Sequence, residues 1–103
     1  MNATQLQKNV NQYEKTVRSE LQNISHIVSQ INLKQFKEEN ATSEIKSYKK
    51  AVAKYKKALN GLKTSTKFLK AQNIMTIQES MELDKLLNEF ESEFKETTRY
   101  VNL

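Results

Sequence analysis

The side chains most often used in catalysis and metal binding are scarce in this sequence. His26 is the single histidine, and cysteine is absent, so neither a Ser–His–Asp nor a Cys–His arrangement is apparent. Carboxylate metal sites in helical bundles use Glu-x-x-His pairs, and the residue three positions before His26 is Asn23. Glu38 and Glu39 lie in a polar stretch, where carboxylates stay ionised. We therefore predict no enzymatic activity, no metal or other cofactor, and no small-molecule substrate.

Lysine forms the second chemically distinctive pattern. Residues 45–70 contain nine lysines and no acidic residue. Lysines interleaved with Tyr48 and Tyr55 are typical of surfaces that bind phosphates and stack on bases. Only two of the 17 basic residues are arginine, the side chain best suited to recognising phosphate and guanine. Nucleic-acid binding, as in a small phage-encoded regulator or inhibitor, is therefore the alternative function. Its candidate residues are the outward lysines Lys46, Lys50, Lys54, Lys57 and Lys67.

The composition indicates which elements must carry these side chains. The chain has 103 residues, no proline and a single glycine, Gly61. Sheets need turns that usually contain Gly or Pro, whereas long helices need neither. We therefore predict one all-α domain over residues 1–103, an elongated antiparallel bundle or hairpin of two to three long helices with coiled-coil-like packing. The helices are predicted at about 3–38, 43–72 and 77–101.

Two of the predicted boundaries leave alternatives open. The break around Asn40 contains no Gly or Pro, so a helix continuous through this residue is one alternative to a turn. Asn60-Gly61 is a frequent turn dipeptide, but both residues fall on the outer face of the second helix. The sequence therefore favours a helix that continues through Gly61, with a hairpin turn there as the other interpretation. Thr76 and Glu79 form a capping-box pattern at the start of the third helix.

Charge is divided between the second and third helices. Residues 77–97 carry seven acids and two lysines. A short turn makes these two helices antiparallel, which brings equivalent edge positions of their heptads opposite each other. Asp84 should then lie between Lys70 and Lys63, and Glu91 between Lys63 and Lys56.

Apolar residues recur at steps of three and four in all three segments, most clearly in residues 6–31. Three long helices with a thin core leave apolar edge for another protein to cover. We therefore expect a non-enzymatic interaction protein whose partner is a helical protein or a second copy. The predicted partner-binding residues are Leu6, Val10, Tyr13, Val17, Ile24, Val28, Leu59 and Gly61.

The tripeptide Leu59-Asn60-Gly61 lies between two helical stretches of a Cys-free, Pro-free chain of 103 residues. In these features the chain resembles the small helical-hairpin proteins of the type VII (ESX-like) secretion system, the WXG100 proteins and the small helical partners of LXG toxins. Leu59 stands where that motif has Trp. The resemblance implies an adaptor or targeting chaperone that folds together with the helical domain of a secreted toxin.

The sequence also carries an expectation about location. Residues 1–15 are polar and lack the apolar stretch of a secretory leader. The longest apolar runs are too short to span a bilayer, so no integral membrane segment is expected. We therefore expect a cytoplasmic protein, or one secreted without a cleavable signal peptide.

Overall fold

A computed structural model describes residues 3–101 and 103, which form three helices: α1 (Ala3–Phe36), α2 (Thr42–Ala71) and α3 (Ile77–Thr98). The molecule is elongated, with principal extents of 54 × 22 × 15 Å. The predicted all-α, elongated architecture is confirmed. The first and third helices end two to three residues earlier than the sequence pattern indicated.

Backbone capping ends α1 and α2 without glycine or proline. Glu38 has a left-handed φ of 58°, and the Glu39 N–H donates to the Lys34 carbonyl oxygen at 2.8 Å. Asn73, with φ 55°, ends α2 in the same way. Hydrogen bonds of this type satisfy the last carbonyl groups of a helix and turn the chain away from its axis. Residues 37–41 and 72–76 therefore form short turns that reverse the chain.

The capping box predicted before α3 is present. The Glu79 N–H donates to the Thr76 hydroxyl at 3.1 Å, and the Thr76 N–H donates to the Glu79 carboxylate at 3.3 Å. Two N–H groups that lack a partner within the helix are thereby satisfied.

The first two helices form an antiparallel hairpin that contains most of the core. At the turn end, the Lys34 ammonium lies 2.6 Å from the Glu44 carboxylate. Towards the other end, the Tyr13 ring packs directly on Gly61. The buried side chains of α1 and α2 include Val17, Ile24, Ile31, Tyr55, Leu62 and Leu69.

Gly61 lies inside a continuous α2, as the sequence favoured. A Cβ at this position would lie 2.6 Å from the Cε1 and Cζ atoms of Tyr13. Glycine is therefore needed here for the close approach of α1 rather than for a turn.

The third helix packs antiparallel to α2 on one side of the hairpin. Lys70 lies 2.6 Å from Asp84, and Lys63 forms an ion pair with Glu91, as the edge positions predicted. Of the described residues of α3, Phe90 alone is fully buried. The hairpin of α1 and α2 is therefore the main folding unit, and α3 is its more lightly held third element.

Two aromatic contacts fix the position of α3 against the hairpin. The rings of Tyr55 and Phe94 stack with centroids 4.4 Å apart. The Tyr55 hydroxyl donates to the Phe90 carbonyl oxygen at 3.3 Å, and the Arg18 guanidinium lies 5.1 Å from the centre of the Phe90 ring.

Candidate helix-binding groove and surface charges

The residues predicted to bind a partner lie mostly inside this chain. Six are buried between the helices: Leu6, Val10, Val17, Ile24, Val28 and Leu59. Tyr13 and Gly61 are partly buried and pack on each other. In this conformation none of the eight offers a continuous surface to another protein, because α2 and α3 already cover the apolar side of α1. Binding through them would require the helices to separate.

A groove of about 650 Å³ runs between α1 and α2 on a face that α3 leaves open. None of its lining residues belongs to α3. On α1 the lining extends from Glu20 to Lys34, and on α2 from Ser43 to Lys54. The α1 range holds fifteen residues and extends over ~22 Å, so the groove is as long as about four turns of a helix.

The floor of the groove is apolar, and the side chains that α2 contributes to the wall nearest the turn are small. Ile27 and Ala51 form the floor and are 6% and 3% exposed. Ser43, Ser47 and Ala51 are small and follow one another at four-residue spacing along α2. Small side chains allow another helix to approach closely. Leu33 lies towards the turn end of the groove and is 54% exposed.

The charged groups at the rim are incompletely paired. Lys34 and Glu44 bridge the turn end of the groove through their ion pair. Lys50 and Lys54 are exposed, and neither has an acidic partner among the described residues. The rim contributed by α2 is therefore cationic and open to acidic groups.

Glu20 lies at the opposite end of the groove from the turn. Its Oε2 atom is buried, yet it accepts no hydrogen bond from any part of the chain that the structure describes. A buried carboxylate oxygen without a donor is unfavourable by ~1–3 kcal/mol.

The lysines of the alternative hypothesis are all exposed on α2. Within the described residues, the ion pairs of α2 lysines involve Lys63 and Lys70, both with α3. We call the remaining outward set the lysine face, and it consists of Lys46, Lys50, Lys54, Lys57 and Lys67.

The tyrosines beside the lysines are not available for stacking on bases. Tyr48 is 7% exposed and Tyr55 is 2% exposed, and both belong to the core. Burial raises the pKa of Tyr55 to about 12, with further contributions from the carboxylates of Glu91 and Glu93. Burial also raises the pKa of Tyr48, and a hydrogen bond with Thr98 partly opposes that shift. Any contact of this face with nucleic acid would therefore rest on lysine alone.

A cluster of exposed apolar side chains lies around the turn between α2 and α3. Phe68 and Ile74 are about half exposed, while Ile77 and Met81 are 83% and 66% exposed. Both Ile77 and Met81 therefore lie on the side of α3 that faces solvent.

His26 is exposed and lines the open groove. Among the described residues, no group of three His, Asp or Glu side chains has the arrangement needed to hold a metal ion. None of the helices described here combines the length and apolar character of a membrane span.

Comparison with known proteins gives no relative. No protein-family model, no curated protein and no solved structure matches this chain.

Sequence reasoning missed the floor of the groove. Ile27 and Ala51, which form this floor, and Ala58, two turns further along α2, are buried, but none of the three was among the residues predicted to bind a partner. The seven-residue spacing of Ala51 and Ala58 was an available signal, since it places both alanines on the side of α2 that faces α1. It was weak because alanine is common on both exposed and buried helix faces.

Proposed function

We propose that this protein is a non-enzymatic interaction protein that binds one helix of another protein in the groove between α1 and α2. The observation that carries the proposal is the groove itself, which is helix-length, apolar at its floor and uncovered by α3. A helix bound there would form a four-helix arrangement with α1, α2 and α3, and it would cover Ile27, Leu33 and Ala51.

The charges at the rim define the chemistry of the partner helix. Acidic residues four positions apart on the partner would face Lys50 and Lys54, which are one turn apart on α2. A hydrogen-bond donor on the partner would face the partly exposed side chain of Glu20, which lines the groove. The occupant is therefore an amphipathic, mainly acidic helix with a donor near one end. The chain already binds a helix of this kind, because the acids of α3 pair with Lys63 and Lys70 on the other side of α2.

Two arginine substitutions test the groove. Ser47→Arg places a long charged side chain in the groove at an exposed position of α2. Ala53→Arg adds the same side chain at an exposed position of the same helix that does not line the groove. Both variants should fold, as checked by circular dichroism and urea unfolding, since neither position is buried.

The assay is affinity capture from the native host, followed by titration of the purified partner that is recovered. We expect the wild type and Ala53→Arg to bind this partner equally, and Ser47→Arg to bind it at least ~10-fold more weakly, a difference of ~1.4 kcal/mol. Equal binding by both variants would rule out the groove as the binding site. A partner segment that is not helical would also contradict the proposal.

The family resemblance supports a more specific form of the proposal. In that form the partner is the helical targeting domain of a type VII-secreted toxin, and this chain is its adaptor or targeting chaperone. A large toxin gene next to the gene for this chain is expected. Coexpression should then yield a stoichiometric complex with the wild type and with Ala53→Arg, but not with Ser47→Arg. A neighbouring toxin domain that purifies without this chain would contradict this form.

Nucleic-acid binding is the second candidate function, and the unpaired lysine face favours it. Lysines on phosphates give binding that depends steeply on salt and little on sequence. Fluorescence anisotropy with duplex and single-stranded DNA at low and moderate salt tests this function. Absence of binding at low salt would exclude it, whereas binding that is lost on Lys46→Glu/Lys57→Glu substitution would support it.

A further inference from the structure

We propose that two copies of this chain bind each other through opposite charges, the lysine face of one copy against an acidic flank of α3 in the other. We define the acidic flank as Glu82, Glu89, Glu93 and Glu96, all exposed. The lysine face shares Lys50 and Lys54 with the rim of the groove between α1 and α2 but includes neither residue of its floor, and the acidic flank lies outside the groove altogether. The inference therefore does not rest on the proposed function.

The acidic flank faces away from the intrachain ion pairs. Asp84 and Glu91 point towards α2, where they pair with its lysines. Glu82 instead lines a shallow groove together with Asn11 and Glu14 of α1. Glu89, Glu93 and Glu96 border a second shallow surface that residues of α3 alone line, so most of the flank lies on the outer side of α3.

Little within the chain neutralises the flank. Glu89 and Glu93 have no ion pair among the described residues. Glu96 lies 3.6 Å from Arg99, but both side chains are mostly exposed, and such pairs contribute little. The four carboxylates are therefore available to cations from outside.

The spacing of charges on the two surfaces matches. Lys46 and Lys57 are eleven residues apart on α2, and Glu82 and Glu93 are eleven residues apart on α3. Eleven residues are about three turns of a helix and cover ~16.5 Å, so each pair lies on one face. Two helices packed side by side can therefore form both ion pairs at once.

The two surfaces cannot meet within one chain, because α3 is held on α2 by the Lys63 and Lys70 pairs. Contact between copies is therefore contact between unlike surfaces. It closes a symmetric dimer where both pairs of surfaces meet at once, and it builds rings or open chains where only one pair meets. Exposed ion pairs contribute ~0.2–1 kcal/mol each and are screened by salt. The association should be weak, dependent on concentration and lost at high ionic strength.

Sedimentation velocity on nuclease-treated full-length protein tests this inference. At ~20 mM salt the wild type should sediment faster as its concentration rises, and at ~300 mM salt it should be monomeric. Two reversed variants, Lys46→Glu/Lys57→Glu and Glu82→Lys/Glu93→Lys, should each remain monomeric at low salt. An equimolar mixture of the two should associate again, because each altered surface then faces its complement.

A control variant separates the surfaces from net charge. Lys8→Glu/Lys15→Glu makes the same change in net charge as Lys46→Glu/Lys57→Glu, but at exposed positions of α1, and it should associate like the wild type. Three results would overturn the inference: a wild type that stays monomeric at low salt, association that survives either reversed variant, or a mixture of the two that stays monomeric. Ser47→Arg keeps every lysine of the lysine face and adds a cation beside Lys46 and Lys50, so this variant should still associate. Failure here is therefore distinguishable from failure of the groove.

Discussion

Replacing Gly61 by alanine sets two effects of known sign against each other. In an exposed helical position the change would stabilise α2 by ~1 kcal/mol, because glycine is the poorer helix former. At Gly61 the new methyl group would lie 2.6 Å from the Tyr13 ring, well inside van der Waals contact. Forcing an extra methyl group into a packed contact costs ~1–3 kcal/mol. We therefore expect Gly61→Ala to lower the free energy of unfolding by about 1 kcal/mol.

The assay is urea unfolding followed by circular dichroism at 222 nm, a wavelength used for helices. Asn60→Ala is the matched control, because Asn60 is exposed in the same helical turn. This variant should be slightly more stable than the wild type, since alanine is the better helix former. In a Tyr13→Ala background the clash is absent, and Gly61→Ala should then stabilise the protein. Stabilisation by Gly61→Ala in the wild-type background would refute the close approach of α1 to α2 at this point.

Three further predictions concern α3 and its contacts. Tyr55→Phe removes the hydroxyl bonded to Phe90 and should lower the free energy of unfolding in urea by ~0.5–1.5 kcal/mol at neutral pH. The pKa of Tyr55 rises from 10.0 to about 12 on folding, so the contribution of its neutral hydroxyl to the free energy of unfolding is complete below pH 10 and is lost as the pH rises towards 12. Tyr55→Phe lacks this hydroxyl, so its urea midpoint should fall less steeply than that of the wild type over this range. Thr76→Ala breaks the capping box and should cost ~1 kcal/mol in the same assay, whereas Thr64→Ala at an exposed position of α2 should cost little; equal losses would contradict the role of the cap. Amide hydrogen exchange should be faster in α3 than in the centres of α1 and α2, since α3 buries only Phe90 among its described residues; equal protection would contradict this order.

Local rules predicted the elements of this fold well. Heptad spacing and the absence of proline indicated two to three long helices, and the sequence pattern located the capping box at Thr76. The pairs of Lys70 with Asp84 and of Lys63 with Glu91 followed from antiparallel geometry alone. These features depend on neighbouring residues or on one short turn, so they can be read from sequence.

The distribution of covered and open surface could not be predicted in the same way. The apolar seam of α1 was expected to face a partner, but α2 and α3 cover it because α3 returns on the same side of the hairpin. Nothing in the periodicity states which of the two grooves of a hairpin a third helix occupies. Because α3 packs in one of these grooves, the other one, over Ile27 and Ala51, stays open and contains the partly buried side chain of Glu20.

Helix ends were the other source of error. Glu38 ends α1 through a left-handed backbone that glycine or asparagine usually adopts. Because neither residue stands at this position, the end of α1 carries no strong stop signal in the sequence. Asn73 uses the same conformation at the end of α2, and asparagine makes that stop easier to anticipate.

Hydrogen exchange on the complex with the captured partner tests the central claim most directly. The proposed function predicts slower exchange on binding in residues 20–34 of α1 and 43–54 of α2, the two walls of the open groove, with α3 unchanged. Faster exchange throughout α3 would contradict it. That result would mean that the partner displaces α3 and binds the seam that includes Val10 and Val17.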